Sequence, residues 1–167
     1  MNANDLLTEA YGRLPDLVET AVHGLTAEQL ATPPAPGANT VGWLVWHLTR
    51  VQDSHIAELL GEEQLYASGD WAASFGLTPD PDDSGYGHTA EQVAGVRPRS
   101  AEALLDYYRA VHDRTIAYMA GITAEDLDRV VDKAWDPPVT LAVRLISILD
   151  DDVQHAGQAA YVRGLIS

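Results

Sequence analysis

The run from Val139 to Leu165, VTLAVRLISILDDDVQHAGQAAYVRGL, decides how this chain is read. Trp135-Asp-Pro-Pro138 in front of it is a hard break, because proline lacks the backbone donor that a helix needs. After the break, apolar residues recur at three- and four-residue spacing, the period of an amphipathic helix. Polar groups intrude on that stripe at Asp151, His155 and Gln158. Asp151 and His155 are four residues apart, so both project from one face, about 6 Å apart at the Cβ level. A carboxylate and an imidazole so placed suit chelation of one ion.

The same period recurs three times upstream. Leu6, Leu7, Ala10, Leu14, Leu17, Val18, Ala21 and Val22 predict a helix from Asp5 to about His23, kinked by Pro15 and stopped by Gly24. Thr26-Ala-Glu-Gln29 reads as a capping box opening a single turn, and the prolines of residues 32–38 force a loop. Asn39 or Thr40 then caps a helix from Val41 to about Leu60, ended by Gly61. Ser100 caps a third long helix running to about Ala120, and Thr123-Ala-Glu-Asp126 starts a short turn. Residues 62–99 carry Pro79, Pro81 and several glycines, and are expected to be irregular apart from a capping box at Thr89-Ala-Glu-Gln92. A connection of that length in a small domain is usually functional or a lid. Four amphipathic helices without a strand pattern predict an all-α four-helix bundle, one domain over residues 1–167. The long connection between helices 2 and 3 leaves room for a crossover.

Composition narrows the function. The 167 residues are 46% apolar, enough for one contiguous core, and carry a formal net charge of -15. That charge repels phosphate backbones and anionic headgroups, which argues against nucleic acid and membrane partners and leaves small molecules and proteins. There is no cysteine, which removes disulfides, thiolate ligands and a cysteine nucleophile, so any sulfur chemistry needs a bound thiol. The first residues have neither a basic flank nor an apolar run, and the expected location is the cytoplasm.

His47, within Trp43-Leu-Val-Trp-His47-Leu48, is an imidazole on a helix face that should be buried, where it needs a partner. Each candidate also has a plainer reading. Asp151 could belong to a solvated Asp150–Asp152 run, His155 could be a surface histidine, and His47 a satisfied core histidine. His55 could flank a pocket, His112 could be a spare ligand or core residue, His23 a helix C-cap, and His88 a mouth residue or loop decoration. Arg50 and Arg144 could clamp a substrate carboxylate, with pairing to an aspartate as the plainer role. Trp43, Trp46, Trp71 and Trp135 could line a pocket or simply fill core. The sequence has no HExxH, phosphate-binding glycine loop or serine nucleophile elbow.

Asn39-Thr-Val-Gly-Trp-Leu-Val-Trp-His-Leu-Thr-Arg50, Gly85-Tyr-Gly-His-Thr89 and Asp151-x-x-x-His155-Ala-Gly-Gln158 together resemble the DinB-like superfamily over essentially the whole chain. The nearest likeness is to uncharacterised actinobacterial DinB-like proteins, and a remoter one is to the metal-binding domain of mycothiol-dependent maleylpyruvate isomerase. The resemblance implies a four-helix bundle holding a divalent ion, often zinc or nickel, on one histidine of the second helix and two ligands four apart on the last. By position these are His47, Asp151 and His155, with Asp151 standing where many members have histidine or glutamate. It further implies a metal-dependent thiol S-transferase or isomerase that activates a low-molecular-weight, mycothiol-like thiol, and a homodimer. A non-catalytic small-molecule binder and a hydrolase using metal-activated water are the rival expectations. An iron oxygenase shares the two-histidine, one-carboxylate donor set but usually lives on a β-barrel.

Overall fold

The computed structural model describes residues 2–167. Its elements are α1 (Ala3–Tyr11), α2 (Leu14–Val22), α3 (Ala27–Leu30), α4 (Val41–Leu60), α5 (Leu65–Ser68), α6 (Ala90–Gly95), α7 (Ala101–Ala120), β1 (Val130–Asp132), β2 (Val139–Thr140) and α8 (Leu141–Ile166), with short 3₁₀ turns at Ala72–Phe75 and Asp126–Asp128. The fold is all-α, as the helical periods predict. The first helix comes in two pieces. Pro15 sits in the first turn of α2, and the break falls one turn upstream at Gly12 and Arg13, where the proline ring would meet the preceding carbonyls. Caps fall where the sequence puts them: the Thr26, Thr40, Thr89 and Ser100 side chains accept from the backbone three residues on.

Two expectations are corrected. Residues 130–140 form a small antiparallel hairpin where no strand was expected, pairing Val130 with Thr140 and Asp132 with Val139. The last helix therefore begins at Leu141, with Thr140 as its cap. The 62–99 connection also holds α5 and a 3₁₀ turn that its composition does not suggest, whereas α6 starts at the expected Thr89 cap.

Contacts across the helices give the topology. The Tyr11 hydroxyl donates to the Leu145 carbonyl at 2.7 Å and Arg163 donates to the His23 carbonyl, so the α1–α2 arm and α8 run the same way. His55 meets Arg144 while His47 meets His155, so α4 opposes α8. Asn4 reaches the Met119 carbonyl and Glu19 faces Arg109, so α7 opposes the first arm. The order is up-down-down-up, and the connection between α4 and α7 is a crossover. The core lies between α2, α4, α7 and α8, filled by Leu14, Val18, Leu44, Trp46, Leu48, Tyr108, Leu145 and Ile148. Among the described residues no helix is long and apolar enough to cross a membrane.

Candidate metal centre

α4 and α8 pack directly against each other, and their seam collects the polar groups that the sequence singles out. His47 from α4 and Asp151 and His155 from α8 each offer one donor atom, and these atoms lie within 4.8 Å of one another. His155 Nε2 stands 3.5 Å from Asp151 Oδ1, and the His47 and His155 rings meet edge to face with centroids 4.8 Å apart. His47 is buried, whereas Asp151 and His155 are partly open, so the cluster sits at the rim of the core.

Both imidazoles are oriented from behind. His47 Nδ1 faces the Ser84 carbonyl, and a carbonyl can only accept, so the proton is on Nδ1 and the Nε2 lone pair is free. His155 Nδ1 meets Gln158 Oε1 at 2.8 Å, with the same consequence. Trp43 stacks on the His47 ring at 4.6 Å between centroids and 11° between planes, which prevents that ring from turning. The surroundings shift the two rings in opposite senses. Burial pushes the His47 pKa down and so favours the neutral ligand form, while the Asp151 carboxylate beside Nε2 raises that of His155. Asp151 Oδ2 is buried with no hydrogen-bond partner among the described residues. Two imidazole nitrogens and one carboxylate, one of whose oxygens has no partner among the described residues, form a donor set suited to a divalent ion. A cation there relieves the lone-pair crowding between His155 and Asp151.

The remaining candidates find structural partners. Arg50 and Arg144 are paired with Asp53 and Asp132, and Arg144 also donates to His55. The pKa of His55 is lowered by burial and by that guanidinium. His112 is buried against the Tyr108 hydroxyl, and His23 caps α2. Trp71 packs on Tyr107, whereas Trp135 is exposed on the hairpin. His88 does border the site, accepting from the Trp43 indole and bonding Asp83. The aspartate run divides: Asp150 is exposed, Asp151 is part of the cluster, and Asp152 is wholly buried rather than solvated. Sequence reasoning missed the Ser84 carbonyl, because a backbone acceptor leaves no mark in residue type; the Asp80–Ser84 turn signal was its only trace.

An up-down-down-up bundle carrying an open nitrogen and oxygen donor cluster on its second and last long helices is a DinB-like protein. A family model described as Mycothiol-S-transferase matches residues 7–167, and the chain belongs to that family. It is similar to a conserved protein of Enterococcus faecalis known from a crystal structure, with 37% identity and a TM-score of 0.90 over 99% of this chain and 98% of that one. No curated protein matches the chain.

Proposed function

We propose that this protein is a divalent-metal-dependent transferase that activates a low-molecular-weight thiol of the mycothiol kind, with His47, Asp151 and His155 as the protein ligands of a zinc or nickel ion. The observation that carries the reading is the convergence of three donors whose two imidazoles both present Nε2. The family supports the thiol. With no cysteine in the chain, the sulfur has to arrive on a small molecule.

Charge makes this combination reasonable. Two neutral imidazoles and one carboxylate give the site a net charge of about −1, so a divalent ion leaves it near +1, a local attractor for a thiolate within a strongly acidic protein. The ion supplies Lewis acidity that lowers the pKa of a coordinated thiol. The chain's own residues set the geometry. Ser84 and Gln158 fix the two rings, Trp43 blocks rotation of His47, and Asp151 contributes the charge. The partly open face of Asp151 and His155 is the side from which thiol and electrophile would enter.

The test is elemental analysis of the purified protein beside an Asp151→Ala/His155→Ala variant, followed by titration of the cobalt-substituted protein with thiols. Near-stoichiometric metal in the parent alone, with a sulfur-to-metal charge-transfer band, is expected. A parent that holds no metal after incubation with zinc and nickel salts, or a variant that holds as much, defeats the reading. Metal without any response to thiols would favour a hydrolase.

A further inference from the structure

Arg50 lies on α4 one turn beyond His47, and its side chain is entirely removed from solvent. A buried guanidinium needs a charge partner and satisfied donors. Asp53, 3.6 Å away, supplies the charge, and the Tyr66 ring lies 4.1 Å beneath the guanidinium. Most of its donors, however, leave the bundle for the 62–99 crossover. Nε donates to the Asp83 carbonyl at 3.0 Å, and the same Arg50 reaches the Pro81 carbonyl at 3.1 Å and that of Asp80 at 3.5 Å. Three carbonyls aimed at one planar fork fix the backbone of residues 80–83, and the next carbonyl, that of Ser84, is the one on His47 Nδ1.

The far side of this strap is fixed as well. Asp83 Oδ1 accepts from the Gly85 amide and bonds His88 Nε2, while Trp43 Nε1 donates to His88 Nδ1. Gly85 has φ +89°, and a Cβ there would stand 2.8 Å from Trp46, 3.0 Å from His47 Nδ1 and 3.2 Å from Trp43. Glycine is thus required both by conformation and by the closeness with which the strap presses on the ring.

We propose that the 80–88 strap is a positioning element of the metal site: Arg50 and Gly85 act through the Ser84 carbonyl to hold His47 in its Nδ1–H tautomer with Nε2 turned toward Asp151 and His155. This rests on the reading that those three residues hold an ion. Neither Arg50 nor Gly85 touches the ion or a substrate. Their effect runs through the orientation and tautomer of a ligand, the kind of outer-shell support whose loss typically costs about 10–100-fold in metal affinity.

The experiment has two readouts on the parent, Gly85→Ala and Arg50→Lys. Nitrogen NMR of the imidazole rings in metal-free protein reports the His47 tautomer, and competition with a chelator reports zinc affinity. The expected result is a parent protonated at Nδ1, variants with mixed tautomers, and zinc affinity lower by about 10–100-fold at unchanged helix content. A purely structural role would shift the melting temperature and leave both readouts alone. A parent His47 protonated at Nε2, or a folded variant with the parent's tautomer and zinc affinity, overturns the proposal. Should Arg50→Lys not fold, Gly85→Ala carries the test, since it leaves the buried charges intact. A parent that binds no zinc, yet whose His47 tautomer responds to Gly85→Ala, defeats the metal reading and supports the strap.

Discussion

Three consecutive aspartates meet three environments on one turn of α8: water at Asp150, the donor cluster at Asp151 and the bundle core at Asp152. Neither carboxylate oxygen of Asp152 has a hydrogen-bond partner among the described residues, and burial pushes its pKa well above the usual carboxylate range. An orphaned buried polar group costs about 1–3 kcal/mol. Asp152→Leu should therefore stabilise the protein by an amount of that order, a rise of roughly 2–4 °C in Tm per kcal/mol at this size. The sign with pH follows from linkage. A folded pKa above the unfolded value of about 3.9 means that the folded state binds more protons, so the parent loses stability as pH rises through that window. The variant has no such term, and its advantage should be smallest near pH 4 and grow toward neutrality. Thermal melts of both proteins across that range check it, and an advantage that shrinks as pH rises would refute it.

Among the elements, α4 is packed on several sides at once. Its Gly42 lets α3 and the chain before α7 come close, since a Cβ there would stand 2.8 Å from the Leu30 carbonyl and 2.9 Å from the Pro98 ring. Gly42→Ala has no strained φ to overcome, yet should cost about 1–3 kcal/mol through overpacking, read as a lower denaturation midpoint at unchanged slope. The bundle was legible because helices announce themselves locally: period, caps at Thr40 and Ser100, and stops at Gly61 and Pro137-Pro138 all lie within a few residues of what they control. The hairpin was not, because strands of two and three residues carry no period; Asp132 is held instead by Arg144, twelve residues on. The crossover itself was expected, but its internal order was hidden, because it is held from another helix. Asp53 accepts from the amides of Leu65 and Tyr66 to start α5, and Arg50 anchors residues 80–83, so two buried charges on α4 order a segment whose own composition predicts a loop. Of the donor cluster, the spacing of Asp151 and His155 and the apolar setting of His47 were visible, but it took the resemblance to favour joining His47 to a pair on another helix about a hundred residues away.

At the scale of the whole molecule, a formal net charge of -15 means that almost any divalent cation will steady the fold by screening self-repulsion, and a rise in Tm on adding metal is by itself no sign of a site. The two effects separate by concentration and by ligand preference. Magnesium prefers several oxygen ligands and keeps its water, so it should act only by screening, at about millimolar levels and alike on parent and variant. Zinc or nickel accepts imidazole, and an ion that binds the folded state alone at about a hundred times its Kd adds roughly 2.7 kcal/mol. For a chain of this size that corresponds to about 5–10 °C. The parent should show such a rise with slight excess zinc, reversed by a chelator, while Asp151→Ala/His155→Ala should lose it and keep the magnesium response. Equal zinc responses in the two proteins would mean that surface charge does all the stabilising and that the three donors hold no ion.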